Sequence, residues 1–135
     1  MTPEQRALVE ASFAKVVPIA DTAATLFYED LFRRNPSLRA LFKEDMADQR
    51  RKLMTMIGTA VANLGNWANI APAVAALGQR HAAYGVKIED YDTVGKALIA
   101  TLEKGLGDAF TPQVKEAWLA CYAAVAAEMV NGAQA

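Results

Sequence analysis

The sequence predicts an all-α domain, and three observations lead there. Alanine and leucine dominate the 135 residues, while valine, isoleucine and threonine never form the alternating runs of a half-buried strand. Apolar residues instead recur at three- and four-residue spacing, the period of a helix face. Proline and glycine then divide the chain into stretches of helix length.

Thr2-Pro3-Glu4-Gln5 opens the first helix, with a capping threonine, proline at the first helical position and glutamine three residues after the cap. This helix should run to Val16 or Val17 and bury Val9, Phe13 and Val16. Pro18 interrupts the chain, and a second helix follows to Arg34 with Ala20, Ala24, Phe27, Tyr28 and Leu31 on its apolar face. Asn35-Pro36 stops it, because a residue before proline is pushed out of the helical region. A short helical piece, Pro36 to Leu41, delivers Phe42 into the charged turn Lys43-Glu44-Asp45. The third long helix should span Met46 to Leu64, carrying Gln49, Leu53, Met56 or Ile57, Ala60 and Leu64 on one side, with Gly65-Asn66 as its end. The fourth, Ile70 to Ala83, bears Val74, Leu77, Gly78 and His81 and stops at Gly85. Asp90 is the expected cap of the fifth, which turns Tyr91, Val94, Leu98, Leu102 and Leu106 inward before Gly107. Thr111-Pro112 starts the last, with Val114, Trp118, Cys121, Val125 and Met129 buried. Six longer helices and one short one thus form a single domain over residues 1–135, without repeat or linker.

Composition narrows the function. Lysines and arginines (14) nearly balance aspartates and glutamates (15), so no electrostatic footprint favours nucleic acid or anionic lipid. No stretch approaches the roughly 18 apolar residues of a membrane span, and the start lacks the pattern of a secretory signal. A lone cysteine, Cys121, has no internal disulfide partner, which makes a reducing cytoplasm the expected compartment. Its place in an apolar stripe suggests a small buried hydrophobe rather than a reactive thiol.

His81 is the sole histidine. It excludes any site of two imidazoles, and with His81 used as a ligand no second histidine is left to complete a Ser-His-Asp triad or to pair with Cys121. No Walker loop or GxGxxG opens a helix. Glu44/Asp45 and Glu89/Asp90 fall in turns, where solvated capping is the simpler reading than acid–base work. A lone histidine is often structural, yet a five-coordinate haem iron needs one imidazole and nothing more. Leu77 lies one helical turn before His81, placing an apolar side chain beside the imidazole and a carbonyl within reach of its other N–H. Gln49 and Leu53 stand one turn apart on the third helix, a polar and an apolar neighbour for a small ligand. Tyr28 adds a hydroxyl that needs a partner if buried. Simpler readings exist: Gln49 between Asp48 and Arg50 as surface, Met46, Met54 and Met56 as core filling, and Arg50-Arg51-Lys52 as a solvated helix face.

Taken together, Leu26-Phe27-Tyr28-Glu29-Asp30-Leu31-Phe32, Asn35-Pro36-Ser37-Leu38-Arg39-Ala40-Leu41-Phe42, Gln49 and Leu53, Gly78-Gln79-Arg80-His81, Gly85-Val86, Tyr91-Asp92-Thr93-Val94-Gly95 and Ala117-Trp118 with Tyr122 resemble a globin. The chain is similar over nearly its whole length to the bacterial single-domain haemoglobins and the haem domain of flavohaemoglobins. The resemblance implies a three-over-three helical sandwich around haem b, held without covalent attachment. It makes His81 the iron ligand, Phe42 the ring packed on the porphyrin, and Tyr28, Gln49 and Leu53 the residues on the opposite, distal side. Leu77, Val86 and Tyr91 join the wall, and Arg80 and Lys52 are placed to pair with propionates. O₂ gathers negative charge when bound and CO does not, so a Tyr28 donor should slow O₂ release far more than CO release. In that subgroup a tyrosine and a glutamate support the proximal histidine. Tyr91 matches the tyrosine, whereas Ala133 falls where the glutamate would lie, which weakens any peroxidase-like push.

These readings give a cytoplasmic haem b globin that reversibly binds O₂, NO and CO. An enzymatic alternative is a nitric oxide dioxygenase served by a separate reductase, since the reductase region of a flavohaemoglobin is not in this chain. A third is an electron-transfer cytochrome ligated by His81 and a methionine; a haem-free helical module is the fourth.

Overall fold

The computed structural model describes residues 1–134, among which six α-helices are joined by short 3₁₀ turns and loops. Ala135, the expected limit of the domain, lies outside the described residues. Helix α1 (Pro3–Val16) begins with a complete capping box: the Gln5 N–H donates to Thr2 Oγ1 (3.1 Å), and the Thr2 N–H donates to Gln5 Oε1 (3.0 Å). Pro18 sits in a 3₁₀ turn, Val17–Ile19, after which α2 (Ala20–Arg34) runs to Asn35-Pro36. Asn35 then caps the 3₁₀ segment Pro36–Leu41 by accepting the Ser37 N–H (3.2 Å).

Helix α3 (Ala47–Ala62) is shorter than the predicted Met46–Leu64. Its continuation, Leu64–Asn69, tightens into 3₁₀ geometry with a non-helical break at Asn66, so Gly65-Asn66 lies inside that segment. Helix α4 (Ala71–Ala83) stops in a Schellman motif: Gly85, at φ +100°, lets its own N–H reach the Ala82 carbonyl (3.1 Å) and the Val86 N–H reach that of His81 (3.0 Å). Helix α5 (Asp90–Leu106) ends at Gly107, φ +55°. The expectation that Asp90 caps α5 is corrected. Its carboxylate points backwards to accept the Lys87 N–H (2.8 Å), and this tightens the preceding turn. Helix α6 (Pro112–Gln134) opens as predicted, with Thr111 Oγ1 accepting the Val114 N–H (3.2 Å).

The contacts join α1, α3 and α4 on one side to α2, α5 and α6 on the other, chiefly through α4 on α6, α1 on α6 and α2 on α3, giving two packed layers of three helices, as the expected three-over-three sandwich requires. Val9, Trp118 and Ala117 are almost wholly buried at the α1–α6 contact, where the Trp118 Nε1–H donates to Ser12 Oγ (2.8 Å). Ser12 occupies that core as a hydroxyl already tied to the Leu8 carbonyl (2.7 Å). The closest approach is between α4 and α6. A Cβ on Gly78 would lie 2.0 Å from the Met129 carbonyl oxygen, and one on Gly132 would lie 2.1 Å from that of Ala75. Main chain meets main chain there, and only glycine fits.

Candidate functional site

Between the layers lies a cavity of about 470 Å³, within the roughly 300–1,000 Å³ usual for a cofactor site. Its walls are chiefly apolar, and polar groups interrupt them at a few points. All ten site residues predicted from the sequence line it: Tyr28, Phe42, Gln49, Lys52, Leu53, Leu77, Arg80, His81, Val86 and Tyr91.

His81 stands in the last turns of α4. Its Nδ1 lies 2.9 Å from the Leu77 carbonyl oxygen. A carbonyl can only accept, so Nδ1 carries the hydrogen and Nε2 keeps its lone pair. Burial pushes the imidazole pKa below its ordinary value, and Arg80 adds to this, while the Leu77 bond opposes it. The ring is therefore neutral at pH 7, as a metal ligand must be. The Schellman turn after the helix folds Val86 back onto the same wall.

A second polar pair belongs to α2 and α3. Tyr28, buried on α2, receives a hydrogen bond from Gln49 Nε2 (3.1 Å), so Gln49 is half-buried and faces inward rather than being plain surface. Burial raises the Tyr28 pKa, and the Gln49 bond offsets part of the rise. Because the phenol oxygen serves here as acceptor, its own hydrogen is uncommitted. The Tyr28 ring packs edge-on against Phe27 (5.0 Å between centroids) and Phe42 (5.5 Å), and stacks with Phe32 (5.9 Å).

The cations at the wall differ. Lys52 is 71% exposed and pairs with Asp48 (3.1 Å), a surface pair of little energetic weight. Arg80 is exposed beside His81. Arg50 departs from a fully solvated basic face: its Nε is buried, 3.6 Å from the Asp21 carboxylate. The Tyr91 carbonyl accepts from the Tyr122 hydroxyl (2.7 Å), which ties the start of α5 to α6.

Several wall residues were not predicted as such. Cys121, Val125 and Met129 carried the helical period of a buried stripe, which marks a core position but does not separate packed core from cavity wall. Leu41 and Tyr84 sit at the ends of their elements, 37% and 64% exposed, where periodicity carries no signal. Among the described residues, no three His, Cys, Asp or Glu side chains gather to hold a bare metal ion, and no helix is long and apolar enough to cross a membrane.

Comparison with known proteins agrees with this arrangement. The family model Globin matches residues 25–129. A flavohemoprotein of Bacillus subtilis is 34% identical over 109 residues, covering 78% of this chain and 27% of the relative. One from Bordetella parapertussis is 30% identical over 129 residues, covering 93% and 32% respectively. The chain thus spans about a third or less of the length of these relatives. Among solved structures, a bacterial globin from Campylobacter jejuni superposes with a TM-score of 0.88 at 22% identity, over 98% of this chain and 96% of that one. An engineered carbene transferase, made from a Rhodothermus marinus protein assigned as a nitric oxide dioxygenase, also gives 0.88, at 25% identity over 99% and 94%.

Proposed function

Because the chain belongs to the globin family, we propose that it is a haem b protein that reversibly binds O₂ and other diatomic gases. One observation carries the reading: a neutral imidazole with its Nε2 lone pair free stands in an apolar cavity whose wall also holds an uncommitted phenol hydrogen. The residues present fit the cofactor. The walls suit a porphyrin face, Phe42 offers a ring to it, and Arg80 and Lys52 offer cations for propionates. One imidazole cannot hold an ion alone, so the remaining iron ligands must arrive with the macrocycle.

When bound, haem supplies a ferrous iron with affinity for diatomic ligands. His81 would hold it through Nε2, whose lone pair is left free because the Leu77 carbonyl fixes the tautomer, a bond that also strengthens the imidazole as a ligand. The Tyr28 hydroxyl donates to a ligand that gathers negative charge, and Gln49 keeps that hydroxyl in place. Leu53 and Phe42 exclude water from the same volume. Absorption spectra of the purified chain after addition of haemin test the proposal, in the ferric, deoxy ferrous and O₂-exposed states. A five-coordinate deoxy spectrum that converts reversibly with O₂ is expected. A six-coordinate low-spin ferrous spectrum would replace this reading with the His81–methionine cytochrome, Met56 and Met129 being in the wall. No uptake of haemin would leave a haem-free helical module.

The resemblance to flavohemoproteins favours a second reading, nitric oxide dioxygenation. One NO, one O₂ and one electron give nitrate, and the electron would come from a separate reductase. Nitrate formed per NO consumed, with a generic reductase, separates the two readings. A cytoplasmic setting is part of both.

A further inference from the structure

The loop from Phe42 to Asp45, between the 3₁₀ segment Pro36–Leu41 and α3, has no helical structure of its own, and the carbonyls of Phe42, Lys43 and Glu44 are bonded by a side chain. One residue supplies the donors. Arg39 Nη1 donates to the carbonyls of Phe42 (3.3 Å) and Lys43 (2.9 Å), and Nη2 donates to that of Glu44 (3.0 Å). The same guanidinium lies over the Phe32 ring, 5.5 Å from its centroid. Phe32 and Phe42 meet edge to face at 5.5 Å, and each also contacts the Tyr28 ring. Arg39 therefore grips two of the three rings that pack on Tyr28, Phe32 through its face and Phe42 through its main chain.

We propose that Arg39 is the positioning residue of the Tyr28 hydroxyl, acting through Phe32 and Phe42 to hold the phenol at one orientation in the cavity. Gln49 fixes the oxygen, whereas Phe32 and Phe42, together with Phe27 on the same helix as Tyr28, fix the plane of the Tyr28 ring and hence where the hydroxyl hydrogen can point. Lysine cannot replace Arg39, because a single ammonium nitrogen cannot span carbonyls reached from two ends of a planar fork. The proposal rests on the reading that Tyr28 donates to a bound ligand.

Two measurements test it. In the first, the full chain reconstituted with haemin and reduced is assayed for O₂ release by stopped flow. Arg39→Met should accelerate release about five- to tenfold, the worth of one neutral hydrogen bond, with CO release changed less than about twofold. Arg39→Lys, which keeps charge and stem, should behave nearly as Arg39→Met does. In a Tyr28→Phe background both effects should vanish. No acceleration, or equal acceleration with and without the Tyr28 hydroxyl, overturns the proposal. The second measurement records amide and tyrosine-ring NMR signals of the protein as purified. Arg39→Met should shift or broaden the Phe42–Glu44 amides and the Tyr28 ring while leaving α1 and α6 unchanged. Unaltered signals overturn the positioning role even if the chain takes up no haem, an outcome that would instead remove the haem reading.

Discussion

The Gln49 amide donates to the Tyr28 phenol oxygen (3.1 Å) and leaves the phenol hydrogen uncommitted, so under the proposed function the two residues would act as anchor and donor rather than as a pair of donors. Their replacements should therefore differ in size. Tyr28→Phe removes the donor and should speed O₂ dissociation by an amount equivalent to roughly 1–3 kcal/mol of lost hydrogen bonding. Gln49→Leu leaves the donor but frees it, for a smaller acceleration of about two- to fivefold. Stopped-flow displacement of O₂ by CO measures both. Equal effects would mean that Gln49 itself, or water, contacts the ligand.

His81→Ala should abolish stable haem incorporation, as followed by haemin titration and by transfer of haem to an acceptor protein. Gln49→Leu serves as the control that perturbs the cavity without touching the imidazole. Normal uptake with an unchanged deoxy spectrum in His81→Ala would transfer the ligand role to another residue.

Cys121 gives a pH dependence. Burial raises its thiol pKa from 9.0 to about 11. A group whose folded pKa is raised contributes stability fully present below the unfolded pKa and lost as pH rises through the folded one. Cys121 should thus cost the fold up to roughly 2–3 kcal/mol as pH climbs from 9 to 11, and Cys121→Ala should flatten that slope in urea titrations. At pH 9 the native thiol should also alkylate far more slowly than the unfolded chain. Equal rates would show that the thiol is neither buried nor shifted.

Gly78→Ala should be among the most damaging single-methyl additions, because the methyl would meet the Met129 main chain rather than a movable side chain. Overpacking ordinarily costs about 1–3 kcal/mol, and a rigid neighbour puts this site at or above the top of that range. Gly58→Ala is the control: its Cβ would sit 3.6 Å from the Phe13 ring, an ordinary contact. Chemical denaturation midpoints of the two variants give the comparison, and similar midpoints would contradict the close crossing.

Much of this molecule was readable from residue types whose effect is local. Thr2-Pro3, Asn35-Pro36 and Thr111-Pro112 mark helix starts by their own side chains, and Gly85 and Gly107 mark ends by backbone freedom. Ten of the residues lining the cavity were readable because helical period and family resemblance point to the same faces. Other features depend on partners distant in sequence or on competing local bonds. Asp90 looked like a cap, yet its carboxylate found the Lys87 N–H first. Gly78 read as a residue on an apolar face, since nothing near it announces the approach of Met129 from α6. Arg39 stood in a family-like stretch without a role, because its three acceptors are main-chain carbonyls, which no side-chain pattern reveals.

The glycine crossing determines how α4 and α6 are held to one another. Where two backbones touch, the register between α4 and α6 is set by atoms that every amino acid shares, and His81 rides on one of those helices. Val125 and Ala126, on the same α6, line the cavity without taking part in that main-chain contact. The helix that carries the imidazole and the helix that closes the cavity are thus locked together at two glycines, by contacts between main chains.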